Sequence, residues 1–311
     1  MKKTILYGAE NKEVSRVVLG LMRTRNVEEK DLEILLDAAY EAGINMIDCA
    51  DIYVRGHSDI VLGEVFCKRP DLRSKFFLHD KCGIVKNVYT INYYDFSKEH
   101  ILDSVNQSLE RLHTDHLDAL LLHRPDALME PREINEAFTQ LHEEGKVRAF
   151  GVSNFNPRMI EMLQKEVSYP LIADQIQFGL GHANAIASGF ELNMDTPASP
   201  TRDEGILEYC RAHDMTIQAW STLQYGFFEG NILDEAKFPK LNEVLARIAE
   251  ENKVSKATIA LAWILRYSGK MQAITGSMNP VHVAEAAEAM NIELTRKEWY
   301  ELYLASGHIL P

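Results

Sequence analysis

The stretch Leu117-Asp118-Ala119-Leu120-Leu121-Leu122-His123 decides the fold. It is apolar nearly throughout, as a strand covered on both faces must be, whereas a sandwich strand would alternate apolar and polar positions. Working outward, similar short runs lie at Val17–Leu19, Asn45–Asp48, Phe76–Lys81, Ala149–Ser153, Leu171–Gln175, Thr216–Trp220 and Gln272–Thr275, which makes eight strand candidates. Helical periodicity fills the intervals: Asp31–Ala42 closed by Gly43, Ser58–Phe66, Lys98–Leu112 with Ser97 as its N-cap, Glu133–Glu144, Pro157–Lys165, Ile206–His213, Leu241–Glu251, Lys256–Tyr267 and Val281–Met290. Strands joined by crossover helices in this order predict an α/β fold, a (β/α)8 TIM barrel. Thr4–Tyr7 and Val14–Val17, around Gly8 and Asn11, predict an N-terminal hairpin across the barrel floor, and Arg296–Ala305 predicts an extra C-terminal helix. No linker, repeat or low-complexity tract interrupts the pattern, so residues 1–311 read as a single domain. Phe178–Gly205 and Thr222–Pro239 are long and irregular, and loops of that length in a compact domain tend to be functional.

The composition narrows the function classes. Hydrophobic residues make up 46% and charged residues 25%, ordinary for a globular chain with a large core. The formal charge is −13, with basic residues outnumbered and scattered, which argues against a nucleic-acid surface and for a small-molecule partner held by a local pocket. No apolar run approaches the ~18 residues of a membrane span, and the apolar Thr4–Tyr7 after Met1-Lys2-Lys3 is too short for a secretion signal. Cys49, Cys67, Cys82 and Cys210 form no CxxC pair and read as buried thiols of a reducing compartment, so the expected location is the cytoplasm.

The predicted strands end in polar residues: Asp48, Lys81, His123, Ser153 with Asn154, Gln175, and Ser221 just after Trp220. In a TIM barrel those ends converge on one mouth, and the intervals from Asp48 to Gln175 fit one βα step each. Asp48, Tyr53, Lys81 and His123 then form a coherent acid–base set. A tyrosine titrates near pH ~10, but an adjacent ammonium favours the phenolate. Lys81 can supply that charge, Asp48 can hold Lys81, and His123 can hydrogen-bond the oxygen that Tyr53 protonates. Carbonyl reduction is the reaction best served.

Four motifs carry a resemblance to a known family. They are Gly43-Ile44-Asn45-Met46-Ile47-Asp48-Cys49-Ala50-Asp51-Ile52-Tyr53, Lys81-Cys82-Gly83, Leu121-Leu122-His123-Arg124-Pro125-Asp126 and Gly151-Val152-Ser153-Asn154-Phe155. Together they resemble the aldo-keto reductases, over nearly the whole chain from Val17 to about Glu298. The resemblance implies that Tyr53 is the general acid, that His123 orients the carbonyl, and that Asp48 with Lys81 tunes the tyrosine. It further implies that Ser153, Asn154 and Gln175 bind the nicotinamide carboxamide, that Trp220 stacks on the nicotinamide, and that Ser221 and Leu223 lie along the pyrophosphate. Gly276, Ser277, Asn279, His282 and Glu285 fall at the adenosine end. The implied cofactor is NADP. Gly276 and His282 stand where the family often has lysine and arginine for the 2′-phosphate, and a histidine is only partly charged near neutrality, so the expected preference for NADPH over NADH is modest. Asp174 stands where an asparagine is usual, Thr222 where proline is common, Val54 where glycine often follows the tyrosine, and Ala286 where an asparagine is frequent.

Other readings are weaker. His57, His79 with Asp80, and His182 lack a metal-ligand spacing, and His79 is expected to face away from Lys81, so no metal is expected. A cofactor-binding regulatory protein on the same fold is the rival function, and the intact acid–base set argues against it. Tyr89, Tyr93, Tyr94, Phe96, Tyr225, Phe227 and Phe228 are candidates for an apolar substrate pocket.

Overall fold

A computed structural model describes residues 3–8, 11–86, 92–190 and 204–310 of the chain. Eight parallel strands close into a barrel: β1 Val17–Gly20, β2 Met46–Asp48, β3 Phe77–Cys82, β4 Ala119–Leu122, β5 Phe150–Ser153, β6 Leu171–Gln177, β7 Thr216–Trp220 and β8 Met271–Thr275. Each strand pairs with its neighbours in sequence, and β8 closes onto β1 through Ala273 opposite Val17. The predicted (β/α)8 architecture is the observed one.

Two cores follow from this topology. The outer core lies between strands and helices and includes Leu120, Leu122, Phe138 and Phe150, the last two stacked at 3.9 Å. The inner core fills the barrel with Val18, Met46, Phe77, Leu121 and Ala173, and Tyr7 of the hairpin closes it from below. Alternate residues of β4 therefore serve different cores, which is why its sequence shows no polar face.

Element ends differ from the sequence reading by one to three residues in most cases. The hairpin pairs Thr4–Tyr7 with Lys12–Ser15 rather than Val14–Val17, because Val17 is already committed to β1. Leu117 reaches its neighbour Val147 only as an isolated bridge, so β4 starts at Ala119. Helices Lys98–Leu112 and Arg296–Ala305 have the predicted bounds, each fixed by a side-chain cap, from Ser97 and Thr295. Two short helices, Pro70–Lys75 and Asn184–Phe190, escape the sequence reading, since fewer than two turns leave little periodicity to read. Cys67 is exposed, not buried. Among the described residues no helix is long and apolar enough to cross a membrane.

Candidate active site

The strand ends bring the predicted acid–base set together at one barrel mouth. Asp48 ends β2 and Lys81 lies near the end of β3, both buried. Lys81 Nζ donates to Asp48 Oδ1 at 2.5 Å and to the Cys49 carbonyl at 2.6 Å. Tyr53 opens the turn Tyr53–Gly56 after β2, is 9% exposed, and has its ring centroid 4.9 Å from Lys81 Nζ. Its ring meets that of His123 edge-on, centroids 5.9 Å apart. The turn beneath Tyr53 runs through Val54 and Arg55 with φ of 48° and 59°, so a β-branched residue occupies left-handed backbone where glycine would fit without strain.

The electrostatics differ from the sequence expectation at two points. First, His79 does not face away: it sits two residues before Lys81, hence on the same face of β3, and its Nε2 meets Asp48 Oδ1. An ionised Asp48 only accepts, so Nε2 carries the proton and the buried Nδ1 is left without a partner. Burial pushes the His79 imidazole down, against the pull of Asp48. Second, Lys81 does not bring the Tyr53 phenol below its ordinary value. Burial raises it more than the charge and hydrogen bonding of Lys81 lower it, and the net direction is upward. The neighbouring groups are held in fixed states. Burial alone would push Lys81 down, but Asp48 and Tyr53 hold the ammonium above its ordinary range. Burial would likewise lift Asp48, yet Lys81 above all holds its carboxyl well below the usual range. His123 is kept neutral by burial and then by the Lys81 charge, with Nδ1 buried and unpartnered.

A row of amides inside the barrel, missed by the sequence reading, ties this centre to the floor. Gln175 Nε2 donates to Asp48 Oδ1 at 2.9 Å and to Gln218 Oε1 at 3.4 Å. Gln218 donates to Gln272 at 2.8 Å and to the Tyr7 hydroxyl at 3.2 Å, and Gln272 donates to the Ser15 carbonyl. Gln175, Gln218 and Gln272 are register partners on β6, β7 and β8, and the signal available in the sequence was a glutamine on each of three apolar strands.

The residues assigned to the nicotinamide end are also brought together. Ser153 Oγ donates to the Gln175 carbonyl at 2.9 Å, Asn154 Nδ2 to the His123 carbonyl at 3.3 Å, and Trp220 Nε1 to Asn154 Oδ1 at 3.2 Å. Asn154 and Ser221 hold φ of 62° and 51°, which turns the chain away from the strand ends. Leu223 is half-buried, its carbonyl accepting from Ile232 N. Asp174, on β6, is fully buried; both carboxylate oxygens lack a hydrogen-bond partner, and burial lifts its pKa to about 8 despite the nearby Phe155 and Asn154 amides.

The adenosine end is looser. Ser277, Asn279 and His282 cluster at the start of helix Pro280–Glu288, where Asn279 Oδ1 caps Val281 N at 2.9 Å and Ser277 Oγ lies 3.4 Å from His282 Nδ1. Nothing lies within 4 Å of where a Gly276 side chain would begin, so its backbone is open to an incoming group. That open backbone, the hydroxyl and amide donors and the helix start suit a phosphate. Glu285 is half-buried, and its carbonyl accepts from Thr258. Lys270 does not join this cluster: it pairs with Asp214 just before β8, at the opposite barrel end. Among the pocket aromatics Phe96 is core, Tyr225 packs on Phe238, Phe228 stacks on Trp220, Tyr93 and Tyr94 sit on an exposed ribbon, and Tyr89 is outside the described residues.

Comparison with known proteins gives the family and agrees with the fold. The sequence profile of the aldo/keto reductase family matches residues 16–303. The oxidoreductase YdhF of Escherichia coli is 33% identical over the full length of both chains, and a 6-dehydroglucose reductase of Agrobacterium fabrum is 33% identical over 95% of each. A thermostable aldo-keto reductase crystallised with the inhibitor epalrestat superimposes with a TM-score of 0.75 at 24% identity, covering 97% of this chain and 99% of that one. A Klebsiella pneumoniae aldo/keto reductase, crystallised with NADP and acetate, gives 0.73 at 23% identity, covering 97% and 94%. The fold, the family profile and full-length relatives at one-third identity agree, and this chain is a member of the aldo-keto reductase family.

Proposed function

We propose that the protein is an NADP-dependent carbonyl reductase in which Tyr53 protonates the carbonyl oxygen of a small aldehyde or ketone. The observation that carries this reading is the placement of Tyr53 at one barrel mouth with the Lys81 ammonium 4.9 Å from its ring and neutral His123 edge-on to it. Burial keeps the phenol protonated through the neutral range, so it is an acid in waiting. As its proton moves to the substrate oxygen, the developing phenolate gains the field of Lys81, which Asp48 holds in place, so the stabilisation acts on the transition state rather than the resting enzyme. His123, kept neutral, donates a hydrogen bond to the same oxygen.

NADPH, when bound, supplies the hydride. Ser153, Asn154 and Gln175 would hold its carboxamide, with Trp220 against the ring. Ser221 and Leu223 would lie along the diphosphate, and Gly276, Ser277, Asn279, His282 and Glu285 at the adenosine end. The relatives fit the reading, since one is named for reducing 6-dehydroglucose and a Klebsiella structure holds NADP. The test is Tyr53→Phe: kcat for aldehyde reduction should fall by roughly 10²-fold or more, with NADPH still quenching tryptophan fluorescence at unchanged concentration. Wild-type turnover in that variant would remove Tyr53 from the chemistry.

A further inference from the structure

Arg124 follows His123 at the end of β4 and lines a cleft of about 220 Å3 at the barrel mouth, beside Asn154, Trp220 and Phe227. Its guanidinium carbon lies 5.5 Å from the Trp220 ring centroid. It is near enough to the reacting groups for its charge to push the His123 imidazole down. Other sheltered cations of this protein each meet a carboxylate or a backbone carbonyl: Lys81 meets Asp48, Arg73 meets Asp118, Arg111 meets Asp59, and Arg16 donates to the carbonyls of Leu265 and Met271. Arg124 does not. Burial weighs against its charge, and the groups favouring it are the phenols of Tyr94 and Tyr53. No Asp or Glu lines the cleft among the described residues, although the chain carries a formal charge of −13. A half-buried guanidinium in an acid-free cleft is unusual, because sheltered charges are normally paired.

Resting on the reductase reading, we propose that Arg124 binds an oxyanion of the substrate, so that the carbonyl compound reduced here carries a carboxylate or a phosphate. The planar fork of arginine suits either group, and a sheltered cation left unpaired by a neutral substrate penalises that substrate relative to an anionic one.

The experiment compares kcat/KM with NADPH for two matched pairs, succinic semialdehyde against butanal and glyceraldehyde 3-phosphate against glyceraldehyde. The wild type should favour the anionic member of at least one pair by tenfold or more, and the favoured pair tells carboxylate from phosphate. That ratio should fall at least tenfold in Arg124→Gln, mainly through KM, and be partly retained in Arg124→Lys. Turnover of neutral aldehydes with no anionic preference overturns the proposal, and so does a preference that survives Arg124→Gln. If no aldehyde turns over, the reductase reading itself fails. Quenching of tryptophan fluorescence by succinate and by inorganic phosphate then decides the anion site: weaker binding in Arg124→Gln supports it, and no binding by the wild type overturns it.

Discussion

Three donors, from His79, Lys81 and Gln175, converge on one buried oxygen of Asp48, and every one of them is fixed by strands of the barrel. The adenosine end is built differently. Ser277, Asn279 and His282 sit at or near the surface, bonded to one another and to the start of a single helix. The proposed reacting end is thus held by the barrel strands, with its protonation states set by burial and by neighbouring charges. At the proposed adenosine end no lysine or arginine stands in the Ser277–Asn279–His282 cluster among the described residues, and a phosphate there would be held by hydroxyls, backbone amides and the helix dipole. Substitutions at the first end should disturb rate and stability together; those at the second should alter only cofactor choice.

The sharpest way to break this contrast is Lys81→Met. It removes the charge that waits for the phenolate and leaves the Asp48 carboxylate to neutral donors. We expect kcat to fall about 10²-fold and unfolding free energy to fall by about 3 kcal/mol, as when one partner of a buried pair is lost. Within this set Asp48 and His123 are held down and Lys81 and Tyr53 held up, so the wild-type rate should stay level between about pH 6 and pH 8. A variant that keeps both rate and denaturant midpoint would make Lys81 an ordinary core residue.

Asp174 tests the support beneath the nicotinamide side. Its folded pKa of about 8 lies above the ~3.9 of an unfolded aspartate, so the folded chain holds the proton more tightly. That contribution to stability is fully present below pH ~4 and is lost as the pH rises through about 8. Asp174→Asn should therefore be more stable than the wild type, by about 2 kcal/mol or more at pH 8, with the gain vanishing toward pH 4. Melting temperatures across that pH range check both size and sign; a gain independent of pH would dissociate Asp174 from the effect.

The smallest effect belongs to the adenosine end. His282→Arg places a permanent cation beside Ser277 and should raise the NADPH-over-NADH affinity ratio several-fold at pH 8, with kcat unaltered. Dissociation constants for both cofactors in the variant and the wild type measure this, and an unchanged ratio in the variant would place the phosphate elsewhere.

The sequence by itself determined the order of strands and helices and the gathering of Asp48, Tyr53, Lys81 and His123 at one end. Hydrophobic periodicity and chain-order pairing are local properties, and in a barrel the strand end alone fixes which residues meet. The helix cap at Ser97 was legible for the same reason. Only the tertiary structure decided how those groups are charged. His79 beside Asp48, the amide row through Gln218 and Gln272, the uncompensated burial of Asp174 and the acid-free surroundings of Arg124 depend on contacts between residues up to more than a hundred positions apart. Burial and pairing set the cost of a charge, and both are sums over neighbours that no single stretch of chain contains.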